Sequence, residues 1–532
     1  MPNVGYSHRP VALGHRGLVA SAHPLATLTG VDVLKTGGTA ADAAVAVNAV
    51  LGVTQPYCCG VGGDLFCLYY EAATRRVHFL NGAGRSGSRA TLAETERRGW
   101  RSIPTIGPAT VSVPGCVLAW SMLLERFGTR SLADLLASAI HYAGEGFPTS
   151  SLVSQSIAEF MGVNDDGEWH RVFAPGGYAP GLGERLRQPD LARTLTDLAA
   201  EGPDLFYRGR VARAIAARLE ADGFLTAEDL AAHTGEWADP IATAYRGVTV
   251  YQTPPPTQGV AALLSLNILQ GFDLARYPVH SVEHLHLLIE VVKLAYADRD
   301  RWIGDPGHAA VPVARLLSAE YAARRRAAFD GKKAQPHTWG NPDGDTTGFV
   351  VADGSGNVVS VIQSVFNAFG SGVVAPDTGV LLHNRGRHFQ LEAGHPSALA
   401  LRKRPFHTLV ASIATREERP LFALATMGGN GQAMFHTQIV TNLLDYGMDV
   451  QEAIERPRFL IGPFLPDDPV DMIQLEARVA PRVMRTLERR GHRLRPALPF
   501  FQKMGHAHGL VVRGDTLMGG ADPRGDGTAL GF

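Results

Sequence analysis

The spacing of apolar positions divides the chain into two parts with different predicted structure. Up to about residue 330, leucine and alanine recur every three or four positions, which indicates amphipathic helices. The pattern predicts helices over residues 25–35, 40–50, most of 115–235, and 282–298. Two short strands are predicted within this part, at 65–70 and at 247–251, and a run of three prolines ends the second.

A polar stretch rich in glycine and proline, residues 331–345, is the best candidate for a linker. After it, β-branched runs at 347–352 and 358–365 enclose an Asp-Gly-Ser-Gly-Asn turn, which predicts a hairpin. A second strand pair is predicted around 415–426, followed by a glycine-rich turn and a helix. A helix-rich first part is therefore joined to a strand-rich second part.

The composition is that of a globular protein. Of 532 residues, 45% are hydrophobic and 19% are charged, which excludes a disordered or fibrous chain. The net charge of −1 gives no reason to expect a nucleic acid or a membrane as a partner. No apolar run has the length of a signal peptide or a membrane span, and four cysteines do not make a disulfide framework. These features predict a cytoplasmic enzyme.

Three short motifs admit a metal or nucleotide site, but each has a simpler interpretation. His280 and His284 fit the H-x-x-E-H zinc pattern, but without an evident third ligand a helix start with surface histidines is favoured. His506 and His508 share one face of a possible strand, and ordinary surface or core histidines are the simpler interpretation. The glycine turn at 60–64 lacks the lysine of a phosphate loop, so a tight backbone crossing is favoured. No metal and no cofactor are expected.

Thr346 is the most informative single residue, because it begins a predicted strand directly after the linker. If the bond between Asp345 and Thr346 is cut, Thr346 carries a hydroxyl and a free amine on the same residue. Such an amine has a pKa of about 7.7 to 8.0 and can act as the base for its own hydroxyl. A Thr-Thr pair at a strand start also has an ordinary explanation in β propensity.

A second element supports a catalytic interpretation. Gly428 and Gly429 stand between a predicted strand and a predicted helix, where backbone N–H groups lack helical partners. Glycine allows a substrate oxygen to approach these amides, which is the requirement for an oxyanion hole. A tight strand-to-helix turn is the alternative interpretation.

At these residues the chain resembles the γ-glutamyltranspeptidase family of N-terminal-nucleophile hydrolases, and the resemblance extends over nearly the whole length. The matching segments are Gly37–Val50, Gly60–Asp64, Pro254–Gly259, Ala295–Arg299, Gly344–Thr347, Val351–Asp353 with Gly356–Asn357, Phe369–Gly372, Lys403–Thr408 and Met427–Gly429. So many matches in order are far more specific than any one motif.

The resemblance implies an α+β fold, the four-layer αββα sandwich of these hydrolases. It implies a proenzyme that cuts itself into a large subunit, residues 1–345, and a small subunit, residues 346–532, which together form one sandwich. Thr346 would be the nucleophile, first on its own chain and then on a substrate amide. Gly428 and Gly429 would supply the oxyanion amides. Ser364 would be a hydroxyl beside the nucleophile, with Thr347 as a weaker supporting candidate.

The substrate-binding positions depart from those of well-characterised γ-glutamyl enzymes. Arg85 lies about two places from the arginine that holds the substrate carboxylate in the family, so it is a candidate anchor. His407 and Thr408 occupy the pair of substrate-facing hydroxyl positions. Phe366 stands where those enzymes have an asparagine. His388, with Arg385 nearby, replaces the aspartate for the substrate ammonium, which weakens the case for a glutamyl amine.

The leading hypothesis is a self-processing amidohydrolase for small amides that bear a carboxylate, with γ-glutamyl compounds first. The pattern is closer to the branch that includes cephalosporin acylases, so an acylase for glutaryl-type or other dicarboxylic monoamides is the enzymatic alternative. A third hypothesis is an unprocessed, non-catalytic relative that binds small molecules. The expected partners are a small-molecule amide and the two subunits of one precursor, with further association of copies left open.

Overall fold

A computed structural model describes residues 7–336, 345–463 and 467–532 of the chain. Its strands are β1 Ala12–Gly14, β2 Gly17–Ser21, β3 Asp64–Glu71, β4 Arg76–Asn81, β5 Phe147–Pro148, β6 Arg185–Leu186, β7 Glu236–Ala238, β8 Ile241–Tyr245, β9 Val248–Gln252, β10 Asp345–Asp353, β11 Val358–Phe366, β12 Val374–Ala375, β13 Val380–Leu381, β14 Ala411–Arg416, β15 Arg419–Thr426, β16 Phe459–Ile461, β17 Ile473–Glu476, β18 Leu494–Ala497, β19 Ala507–Arg513, β20 Thr516–Ala521 and β21 Thr528–Gly531.

The helices of the structure include every predicted one, with ends that differ by a few residues, together with others that the pattern did not predict, such as Gly259–Leu269. They are α1 Pro24–Lys35, α2 Ala40–Thr54, α3 Leu92–Arg97, α4 Cys116–Phe127, α5 Leu132–Glu145, α6 Ser151–Met161, α7 Gly167–Phe173, α8 Pro189–Glu201, α9 Asp204–Tyr207, α10 Arg210–Leu219, α11 Ala227–Ala231, α12 Gly259–Leu269, α13 Val282–Trp302, α14 Val313–Leu316, α15 Ala319–Arg326, α16 Gln432–Leu444, α17 Val450–Glu455 and α18 Pro481–Arg489. None of the described helices is both long enough and apolar enough to cross a membrane.

Two seven-stranded sheets form the centre of the molecule. One has the strand order β1-β20-β19-β15-β14-β9-β8, and the other has the order β21-β2-β10-β11-β3-β4-β7. A buried cluster that includes Phe66, Ile362 and Leu409 joins the facing sides of the two sheets. Alternation of side chains along each strand leaves the outer face of each sheet to be covered by helices.

The helical layers are built from sequence features that suit burial on the outer faces of the sheets. Helix α2 starts at a capping box in which Thr39 and Asp42 satisfy each other's backbone amides, and its Ala-rich length packs closely. Helix α12 is apolar on nearly all sides, as expected of a helix buried between α13, α16 and the sheet. The predicted four-layer αββα sandwich is confirmed.

The division into a helix-rich and a strand-rich part is only partly correct. Residues before 345 contribute strands to both sheets, because β2 and β3 flank the central hairpin β10–β11 and β9 pairs with β14. Each sheet is therefore complete only when both parts of the chain are present. The division at 345/346 stays a prediction, and most of the predicted linker, residues 337–344, lies outside the described residues.

Candidate active site

The hydroxyl of Thr346 lies between two polar side chains near the start of β10. Thr346 is 1% exposed, and its Oγ1 donates a hydrogen bond to Ser364 Oγ at 3.2 Å. Gln432, the first residue of α16, donates from Nε2 to the same Oγ1 at 3.2 Å, and its Oε1 accepts from the amide of Val410. Two groups fixed on different elements therefore hold this hydroxyl in one orientation.

The register of the hairpin β10–β11 places Ser364 opposite Thr346, and a bulge lies at this point. Asp345 pairs with Phe366 and Thr347 pairs with Gln363, so two residues of β11 stand opposite Thr346 alone. The backbone of Phe366 has a φ of +80°, which is strained for a bulky residue. Its amide donates to Ser364 Oγ at 2.7 Å, so the strained residue also fixes the serine hydroxyl.

The glycine turn, residues 428–431, connects β15 to α16. Gly428 has a φ of +128° and Gly429 a φ of +52°, both in the region that favours glycine. A Cβ on Gly428 would come within 2.6 Å of a ring carbon of Phe435. The turn closes with a bond from the Gly431 amide to the Gly428 carbonyl at 2.8 Å. Glycine at 428 is thus required by both conformation and space.

A buried group of charged side chains lies next to Ser364. Asp64 pairs directly with Ser364 across β3 and β11, and its Oδ2 is 3.3 Å from His383 Nδ1 and 3.9 Å from His407 Nε2. Burial raises the pKa of Asp64, while His383 and Arg385 oppose that shift. Burial also lowers the pKa of His383 and holds that of His407 well below its usual value, with Arg385 acting in the same direction on His407.

Arg385 is fully buried at the edge of this group. Its Nη1 donates to Thr408 Oγ1 at 3.2 Å, and its guanidinium carbon lies 4.3 Å from the centre of the Phe366 ring. Its Nε and Nη2 have no hydrogen-bond partner among the described residues. Burial lowers the pKa of Arg385 to about 9, and Asp64 opposes that shift. A desolvated guanidinium with donors to spare is suited to a carboxylate.

A cavity of about 480 Å³ opens beside these residues. Phe366, His388, Phe406, Arg299 and Asn430 are part of its lining. The ring of His388 is 4.1 Å from that of Phe366, and its Nδ1 faces the Phe406 carbonyl at 2.9 Å. Burial, with Arg385 second, holds the pKa of His388 well below its usual value, so the ring is neutral near pH 7. A small organic molecule fits a space of this size.

Two of the predicted site residues point elsewhere. The guanidinium of Arg85 donates to the carbonyl and the hydroxyl of Thr234, and Arg85 is not among the described residues that line the cavity. The hydroxyl of Thr347 faces Gln55 at the end of α2, at 3.5 Å. Adjacent residues of a strand project to opposite faces, so Thr346 and Thr347 cannot both face Ser364.

The histidine motifs have structural explanations. His284 is buried, so the interpretation as a surface histidine was wrong, while the predicted helix start at Ser281 is confirmed by its cap on the His284 amide. His280 donates to the carbonyl of Pro457. His506 and His508 are both buried core residues. Within the described ranges, no three His, Cys, Asp or Glu side chains come together as a metal site.

The other predicted local features are accounted for by packing. The glycine turn at 60–64 is a tight crossing, because a Cβ on Gly62 would lie 2.0 Å from the Leu381 carbonyl oxygen. All four cysteines are free and buried.

Comparisons with known proteins agree over almost the full length. The family model "Gamma-glutamyltranspeptidase" matches residues 26–532. The glutathione hydrolase-like YwrD proenzyme of Bacillus subtilis is 39% identical over 98% of this chain and 99% of its own length. The oxamate amidohydrolase proenzyme of Klebsiella pneumoniae is 36% identical over 97% of this chain and 98% of its own. The crystal structure of cephalosporin acylase from Bacillus halodurans superposes with a TM-score of 0.93, at 36% identity over 99% of this chain and 97% of that one.

Proposed function

Because this chain belongs to the gamma-glutamyltranspeptidase family, we propose that Thr346 is the nucleophile of a self-processing amidohydrolase for small amides that bear a carboxylate. The observation that carries the proposal is the buried Thr346 hydroxyl held between Ser364 and Gln432, in a region where Phe366 and Asn430 line a cavity. Relatives of this chain are a glutathione hydrolase-like, an oxamate amidohydrolase and an acylase proenzyme, which supports both the cut and the reaction type.

The first reaction is proposed to occur within the chain. Thr346 Oγ1 attacks the carbonyl carbon of Asp345, the C–N bond breaks, and an ester forms while the Thr346 nitrogen takes up a proton as a free amine. Water then hydrolyses the ester, which leaves a carboxylate on Asp345 and restores the Thr346 hydroxyl. The new amine serves as the base for that hydroxyl in later turnovers.

The second reaction repeats the chemistry on a substrate amide. Oγ1 attacks the amide carbonyl, the backbone amides of Gly428 and Gly429 donate to the oxyanion, and the amine of the substrate leaves with a proton from the Thr346 amine. Water or an acceptor amine then resolves the acyl-enzyme. Ser364 and Gln432 orient the hydroxyl for both attacks.

Arg385 is the proposed contact for the substrate carboxylate, with Thr408 and His407 beside it and Arg85 as the weaker candidate. A carboxylate can accept from the two nitrogens of Arg385 that have no partner among the described residues. His388 and Phe366 surround the other side of the guanidinium. Neither side chain can pair with an ammonium as an aspartate would, and this favours dicarboxylic monoamides over γ-glutamyl compounds.

Two anilides of equal length distinguish these substrate classes. Glutaryl-anilide differs from γ-glutamyl-anilide in the absence of the α-amino group. We expect glutaryl-anilide to have a kcat/KM equal to or above that of γ-glutamyl-anilide, because the carboxylate among the described cavity residues, that of Asp300, already accepts from Arg299 Nε at 2.6 Å. The release of aniline by processed protein is the measurement. A preference of tenfold or more for the γ-glutamyl compound would instead support a site for the ammonium.

Replacement of Arg385 by glutamine tests the carboxylate contact. We expect kcat/KM for glutaryl-anilide to fall about 100-fold, chiefly through KM, because a buried charged hydrogen bond is lost. Butyryl-anilide, which has no carboxylate, should show less than a threefold change. Arg416→Gln is the control, since this exposed arginine ends β14 and is not among the described residues that line the cavity. An equal loss with both anilides would contradict the assignment.

The cytoplasmic location and any further association of copies stay predictions from the sequence.

A further inference from the structure

Two polar residues in segments that resemble the family have no role in the proposed function. They are Gln258, in the segment 254–259, and Arg299, in the segment 295–299. Both residues are buried: the exposed fraction is 0% for Gln258 and 3% for Arg299. Gln258 caps the start of α12, and Arg299 lies in the last turn of α13. The two side chains belong to different helical segments, and they bond each other next to the glycine turn that follows β15.

The side-chain amide of Gln258 makes three hydrogen bonds at this point. Its Nε2 donates to the Gly429 carbonyl at 3.0 Å and to the Thr408 carbonyl at 2.6 Å. Its Oε1 accepts from Arg299 Nη1 at 2.7 Å. A flipped amide would place an oxygen against two carbonyls, so Arg299 and the two carbonyls together allow one orientation.

Arg299 and Tyr296 hold the next residue of the turn. Arg299 Nη1 donates to Asn430 Oδ1 at 2.9 Å, and the Tyr296 hydroxyl donates to the Asn430 carbonyl at 2.5 Å. The guanidinium of Arg299 also lies 4.2 Å from the centre of the Tyr296 ring, and Asp300 bonds its Nε. Two successive carbonyls of the glycine turn are therefore held by residues that precede position 345.

These contacts add to the bond from the Gly431 amide to the Gly428 carbonyl that closes the turn. Gly428 and Gly429 have no side chains, and glycine moves easily between backbone conformations. Peptide planarity connects these contacts to one of the proposed donors. The Asn430 carbonyl shares a peptide unit with the Gly431 N–H, which bonds the Gly428 carbonyl at 2.8 Å, and that carbonyl shares its own unit with the Gly429 N–H. An oxyanion hole lowers the barrier only when its donors are already oriented.

We infer that Gln258 and Arg299 are positioning residues that set the orientation of the oxyanion turn and connect it to Thr408 at the proposed carboxylate site. The inference depends on the proposed function, because it assumes that Gly428 and Gly429 stabilise the oxyanion. It also gives the large part of the chain an indirect role in catalysis, since both residues lie before the predicted cut.

Gln258→Met tests the inference, with Gln270→Met as the matched control. Methionine keeps the length and burial of the side chain but removes all three hydrogen bonds. Gln270 stands at the opposite end of the same helix, where its Oε1 accepts from the Arg246 amide, away from the glycine turn. The measurements are kcat and KM for glutaryl-anilide per processed molecule, taken well below the thermal midpoint of each variant.

We expect Gln258→Met to lower kcat about 100-fold with KM changed less than threefold, because misplaced donors affect the transition state more than substrate binding. Gln270→Met should keep the wild-type kcat. A folded Gln258→Met variant with kcat within twofold of wild type, or with a change in KM alone, would overturn the inference. If the wild type and the control neither process nor turn over, the proposed function itself fails.

If Gln258→Met does not fold, Arg299→Lys tests the inference. Lysine keeps the positive charge but cannot bond Gln258, Asn430 and Asp300 together. We expect kcat to fall about tenfold at an unchanged KM, with Arg301→Lys on the same helix as the unaffected control. An Arg299→Lys variant with wild-type kcat would overturn the inference.

Discussion

Replacement of Thr346 by alanine will leave the chain uncut and without activity. The methyl group has no hydroxyl to attack Asp345, so no new N-terminus forms and no amine becomes available as a base. We expect the full-length band to persist on a denaturing gel and turnover to fall by at least about 10⁴-fold, as in other enzymes that lose their nucleophile. Aniline release measures turnover, and the gel measures cleavage.

Two neighbouring variants make this result specific. Thr346→Ser keeps a hydroxyl and should still cleave, although more slowly. Thr347→Ala should cleave and turn over, because the Thr347 hydroxyl faces Gln55 on the opposite side of β10. Loss of cleavage in Thr347→Ala with retention in Thr346→Ala would transfer the nucleophile to the second threonine.

Replacement of Gly428 by alanine should reduce turnover by about 10² to 10³-fold, the loss found when an oxyanion donor is removed. Alanine is strained at a φ of +128°, and its Cβ would collide with the ring of Phe435. The turn must therefore shift, and its amides no longer point at the oxyanion. The measurement is the kcat of processed molecules, together with the thermal midpoint.

Gly447→Ala is the control for the cost of alanine at a positive φ. Gly447 has a φ of +63° beyond the end of α16, and a Cβ there meets no atom within 4 Å. It should lose a small amount of stability and keep full turnover. If Gly428→Ala, correctly folded, retains turnover within threefold of wild type, the glycine turn is not the oxyanion hole.

The local part of the site was accessible from the sequence. Thr346 and Ser364 belong to one hairpin, so their proximity follows from a short turn and from the alternation along two strands. The turn at Gly428 and Gly429 could be predicted, because the apolar pattern changes there from that of a strand to that of a helix. Patterns of this kind involve residues close together in sequence.

The long-range part was not accessible. Asp64 stands beside Ser364 only because β3 pairs with β11, and Gln258 reaches the glycine turn only because α12 starts beneath it. Gln432 was missed because a glutamine at a helix start has no distinctive pattern. Arg85 was predicted from its charge near the expected position, but in the structure its guanidinium bonds Thr234.

Mass spectrometry of the intact wild-type protein, with N-terminal sequencing of its fragments, tests the central claim most directly. A cut before Thr346 divides the 56.9 kDa chain into pieces of about 37 kDa and about 20 kDa. The smaller piece should begin Thr-Thr-Gly-Phe, the residues that start at position 346. A single full-length chain after prolonged incubation, or a fragment that begins at another residue, would contradict the assignment of Thr346.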